Sequence, residues 1–148
     1  MSVDPAILVT MSTVPTDADV EAFVEAVAKP VRRRDARTLL ELYGKITGEP
    51  AVIWGPTIIG YGEYHYRYAS GRTGSAGAAG FSPRPPATTI YLPDGFEDYV
   101  DDLALLGPHT LGKVCLYLKD LETNDMAVLE RILRASYAKC SAPGFGQV

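Results

Sequence analysis

Long apolar runs, paired cysteines and an excess of basic charge are all missing from this chain, and each absence removes a class of function. No stretch of 18 apolar residues occurs, which is roughly what a helix needs to cross a bilayer. The start, MSVDPAILVTMST, has neither the basic opening nor the apolar segment of a secretion signal, so cytoplasmic residence is expected, with no membrane partner. Lysines and arginines number 14 against 18 acidic residues, a net charge of −4. Neutralising phosphates needs a basic face, so nucleic acid is not the expected partner, while a small anion is. The 2 cysteines, Cys115 and Cys140, do not have zinc-site spacing, and in a reducing compartment they read as free thiols. No Ser-His-Asp order is visible, which leaves the histidines His65 and His109 and the thiol of Cys115 as the material for an enzyme. A non-enzymatic role is therefore expected; a homodimer stays open.

What is present is globular: 148 residues, 47% hydrophobic and 22% charged. That suffices for one domain with its own core, spanning 1–148, with 1–15 and 141–148 expected to fray. The chain is organised around residues 106–121, LGPHTLGKVCLYLKDL. Period-2 alternation makes 114–118 a strand, with Val114, Leu116 and Leu118 in the core and Cys115, Tyr117 and Lys119 on the other face. Gly107, Gly112 and Lys113 mimic the spacing of a phosphate-binding loop, but Val114 replaces its Ser or Thr and a strand follows where a helix is required.

In chain order, Thr16, Asp17 and Asp19 offer caps for a helix ending near Pro30, with Val20, Phe23, Val24 and Val27 as its apolar stripe. A second helix is expected over 35–46. Arg32, Arg33, Arg34 and Arg37 crowd its start, where positive charge opposes the helix dipole, so pairing with first-helix carboxylates is expected, or else an external anion or partner. Short strands follow at 51–54, 61–68 and 88–92. The Gly/Ala/Ser segment 69–80 reads as a mobile hairpin connection that could serve as a lid. Helices are then expected over 94–106, with Phe96, Val100 and Leu103 inward, and from a Thr123 or Asn124 cap to about 139.

Taken together, Gly60-Tyr61-Gly62, Tyr64, Tyr66, Gly71, Gly80-Phe81-Ser82-Pro83-Arg84, Tyr91-Leu92, Leu106-Gly107, His109, Gly112-Lys113, Cys115-Leu116-Tyr117 and Leu121-Glu122 resemble the YdhG-like family of small bacterial domains of unknown function. The likeness covers most of 20–137 and departs from the family pattern at Pro85 and Val114, where lysine and serine are usual. It implies a frataxin-like α+β fold: a curved antiparallel sheet of about five strands with helices packed across one face. It also implies that some relatives bind and deliver iron. From the residues themselves, Tyr61, Tyr66, Ser82, Arg84, His109 and Lys113 are expected to converge on one cleft for a small anionic metabolite, with no cofactor. The alternative is exchangeable iron on the carboxylates of the first and third helices: Asp17, Glu21, Glu25, Asp98, Asp101 and Asp102.

Overall fold

The computed structural model describes residues 14–147. The described chain runs α1 (Val20–Glu25), α2 (Pro30–Thr47), β1 (Val52–Trp54), β2 (Ile58–Tyr61), β3 (Tyr64–Arg67), β4 (Thr73–Ala76), β5 (Ala79–Pro83), β6 (Thr88–Tyr91), α3 (Val100–Leu106), β7 (Thr110–Leu111), β8 (Cys115–Leu118) and α4 (Met126–Cys140). Single 3-10 turns, Glu97–Tyr99 and Leu121–Thr123, precede α3 and α4. The class is α+β, and the main antiparallel sheet has 6 strands, ordered β1-β2-β5-β6-β8-β7, rather than the five expected.

One row of apolar side chains explains why the helices cover one face. Ile53, Ile59, Phe81, Ile90 and Leu116 are successive cross-strand partners over β1, β2, β5, β6 and β8, so they project to the same side. Against that row pack Leu39 and Tyr43 of α2, Leu103 and Leu106 of α3, and Leu129, Ile132 and Leu133 of α4. The strand at 114–118 keeps its expected sides: Val114, Leu116 and Leu118 are buried, Cys115 and Tyr117 only partly so.

The opposite face carries a second layer that composition does not announce. Strands β3 and β4 form a separate 2-stranded sheet, and a second core joins Tyr64, Tyr66 and Ala76 of that hairpin to Trp54, Ile58 and Tyr91 of the main sheet. The expected strand 61–68 is therefore cut: Tyr61 ends β2, Gly62 adopts φ 66, and β3 leaves for the other layer. The expected mobile connection 69–80 is not one. It supplies β4 and the start of β5, and glycines in β4 and β2 let aromatic rings lie against the backbone of their own sheet. A Cβ on Gly74 would stand 2.2 Å from the Tyr66 hydroxyl oxygen, and one on Gly60 2.6 Å from Trp54 Cδ1.

Three further expectations shift. Helix α2 begins at Pro30, which serves as its first residue and not as the terminator of α1, since proline's fixed φ suits that position. Val100 points outward at 63% exposure, because a 3-10 turn rotates the start of α3. Asp125 caps α4, accepting from the Ala127 and Val128 amides, while Asn124 donates to the Leu106 and Pro108 carbonyls.

The termini are tied down where they are described. Thr16 N and Gly55 N bond across to Ile53 O and Val14 O. At the other end Phe145 packs edge-on against Tyr64 at 4.9 Å and Gly146 O accepts from Arg67 N. Residues 14–15 and 141–147, expected to fray, thus have defined contacts; residues 1–13 and 148 lie outside the described chain.

A stability prediction comes from α2. A Cβ on Gly44 would meet nothing within 4 Å. Gly44→Ala should raise unfolding free energy by about 0.5–1 kcal/mol, read from the urea midpoint, through lower entropy of the unfolded chain.

Candidate functional site

The second layer stops short of one corner of the main sheet, and the free chemistry collects there. One row on this face runs Ser82, Thr89, Tyr117, Thr110 through paired positions of β5, β6, β8 and β7. One step further along the strands come Arg84, Ala87 and Lys119. A cleft of ≈ 310 Å³ opens beside them, lined by Ala87, Pro108, His109, Thr110, Tyr117, Lys119 and Thr123. Its ionisable lining is His109, Tyr117 and Lys119, with no carboxylate.

His109 has a defined orientation. Its Nδ1 lies 2.8 Å from Gly107 O; a carbonyl only accepts, so Nδ1 carries a proton and the ring is fixed beside the cleft. Tyr117 stands beside Cys115, whose charge is the main cause that raises the phenol, with burial and their hydrogen bond adding to it and Arg84 opposing. Burial likewise raises the Cys115 thiol, against the pull of Tyr117 and Arg84, which favours an unreactive thiol over a nucleophile. Tyr91, next along that face, is pushed up to about 12, mainly by burial, and Arg84 again opposes. Arg84, exposed just beyond β5, is close enough to lower all three of these groups.

The six residues expected to converge are dispersed. Arg84 and His109 reach the Tyr117 corner. Tyr61 lies in the helix-side core, stacked on Tyr43 at 5.1 Å, its hydroxyl buried without a hydrogen bond. Tyr66, in β3 of the hairpin, is buried on the other side of the main sheet. Ser82 lies on the same side of the sheet but is fully buried, and its hydroxyl donates to Thr57 O at 2.8 Å. Lys113 is exposed in the turn between β7 and β8, at the opposite end of β8 from Lys119. The sequence expectation omitted Tyr117 and Lys119 from the site, although their alternation with Leu116 and Leu118 had already put them on one face. The phosphate-loop spacing also has a plain structural outcome: Gly107 follows α3, and β7 intervenes before Gly112 and Lys113.

The carboxylates expected to attract iron are largely engaged elsewhere. Glu21 and Glu25 pair with Arg37, Asp98 with Lys139, and Asp102 with Arg131. Asp17 and Asp101 are exposed. Among the described residues, no group of three or more His, Cys, Asp or Glu is arranged to hold a metal ion.

The fold and this corner define an α+β domain with a small, cation-lined cleft on the uncovered part of its sheet. Comparison with protein-family models, curated proteins and solved structures finds no match. Among the described residues no helix is long and apolar enough to cross a membrane.

Proposed function

We propose that the protein is a non-enzymatic binding domain for a small anionic metabolite, seated in the cleft of His109, Tyr117 and Lys119, with the exposed Arg84 on the same side of the sheet adding positive charge. The observation that carries this reading is the lining itself, in which the Lys119 ammonium and the Thr110 and Tyr117 hydroxyls meet beside an aromatic wall, with no carboxylate to oppose an anion. Near 300 Å³, the space is at the small end of ligand pockets, which favours a compact metabolite. Cytoplasmic residence belongs to the same reading, supported by the unbridged Cys115 and Cys140. So does kinship with the YdhG-like domains, supported by the α+β layering. Iron handling has weaker support, because Glu21, Glu25, Asp98 and Asp102 already have cationic partners.

The test is a thermal-shift and calorimetric panel of inorganic phosphate, glycerol phosphate and benzoate against wild type, Lys119→Ala and Arg84→Ala. At least one anion should stabilise the wild type, and loss of a charge-assisted hydrogen bond should weaken its binding ~10-fold or more in Lys119→Ala. Equal binding by all three proteins, or by none, defeats the reading.

A further inference from the structure

The basic start of α2 has an unusual resolution. Its N-cap, Lys29, makes no side-chain capping bond, Pro30 follows, and the first turn holds no acidic residue. The positive end of the helix dipole therefore meets more positive charge, where an anion would be favoured. Of the nearby arginines, only Arg37 pairs with the carboxylates of α1. Arg34 turns to Asp35, Asp120 and Glu122, and Arg33 donates to Val27 O at 2.8 Å.

Arg32 is the exception. It is buried at 1% exposure, donating from Nη1 to Thr88 Oγ1 and Leu118 O and from Nη2 to Lys119 O. Its charge partner Asp35 is 3.8 Å away, a loose pairing. The Nε–H is buried with no hydrogen-bond partner, an unfavourable state for a charged group. Arg32 also lines a cleft of ≈ 290 Å³ whose walls include Phe23, Val27, Pro83 and Pro85. Lys29 borders the same cleft and reaches Pro85 O at 3.5 Å.

An apolar-walled space lined by Arg32, whose Nε–H is unsatisfied, adjoins an uncapped helix start. We propose that this cleft binds a small monocarboxylate with an apolar tail, its head group at Arg32 and Lys29 and its tail against Phe23, Val27 and the proline rings. One negative charge suits the site, because Asp35 already offsets part of the Arg32 charge and the walls would penalise a dianion. The volume suits a tail of about four to eight carbons. This site lies on the helix side of the sheet, apart from the His109 cleft.

The experiment titrates the full chain with hexanoate, 1-hexanol and inorganic phosphate by calorimetry. Hexanoate should bind at least ~10-fold more tightly than hexanol, which has the tail alone, or phosphate, which lacks it. Val27→Trp, which fills the cleft, and Lys29→Glu, which reverses the charge at its mouth, should each weaken hexanoate ~10-fold or more; both positions are surface-accessible, so the fold is retained. Lys119→Ala should bind hexanoate as wild type does, separating this site from the first. The proposal is overturned if hexanoate fails to bind, if hexanol binds equally, or if hexanoate survives both Val27→Trp and Lys29→Glu. Loss in Lys119→Ala with retention in Lys29→Glu overturns it as well.

Discussion

Asp35→Ala should lower the unfolding free energy by about 3–5 kcal/mol, measured by urea denaturation at neutral pH. Asp35 is 1% exposed and acts as a hub. One carboxylate oxygen accepts from Arg34 Nε and Nη2 at 3.0 and 2.7 Å; the other accepts from Leu121 N at 3.0 Å and faces Arg32 at 3.8 Å. Truncation leaves the buried Arg32 charge without its counter-ion and the Leu121 amide without an acceptor, and both are held away from water. Asp35→Asn keeps an acceptor for Leu121 N and should lose less. The double change Arg32→Met with Asp35→Leu should recover only part of the deficit, because it removes the uncompensated charge yet leaves Leu121 N, Leu118 O and Lys119 O without their partners. A loss below about 1 kcal/mol in Asp35→Ala would show that the Arg32 network contributes little to folding.

Phe81→Ala should be comparably severe, at about 3–5 kcal/mol by the same measurement. Phe81 is 0% exposed, sits in the middle of β5 between β2 and β6, and stacks on Tyr43 at 5.3 Å. Its removal opens a void under α2 that the paired strands on either side cannot close. A residue at the end of a mobile loop would tolerate the change within about 0.5 kcal/mol. One unfolding curve thus reports whether Phe81, directly after segment 69–80, is anchored in the core.

That contrast shows what was legible in the amino-acid order. Strand β8 was readable because alternation directly reports a sheet with two different sides, and Leu116 and Cys115 behave accordingly. The apolar periods of α2 and α4 were readable for the same kind of reason. Segment 69–80 was not, because small residues carry no burial signal of their own: Ala76 and Ala78 are buried only because Trp54, Tyr64 and Tyr66 close over them. Pro30 was ambiguous in principle, since the same ring ends one helix and opens another.

The site divides along similar lines. His109 and Arg84 were found from residue type, whereas grouping Tyr61 with Tyr66 failed because Gly62 sends the chain from one layer to another. Lys119 was overlooked because its placement depends on the register of β6 against β8, a long-range pairing that local pattern does not encode. Arg34 likewise meets Asp120 and Glu122, 86 and 88 residues away, through tertiary packing.

Trp54 is the chain's single tryptophan, 3% exposed, its indole resting on Gly60 beneath the β3–β4 hairpin. The protein therefore has a built-in optical reporter of its own second layer. Lifting the hairpin alone would wet the indole and redden its emission while the helical circular-dichroism signal stayed intact, so partial opening and global unfolding are spectroscopically separable without attaching a dye.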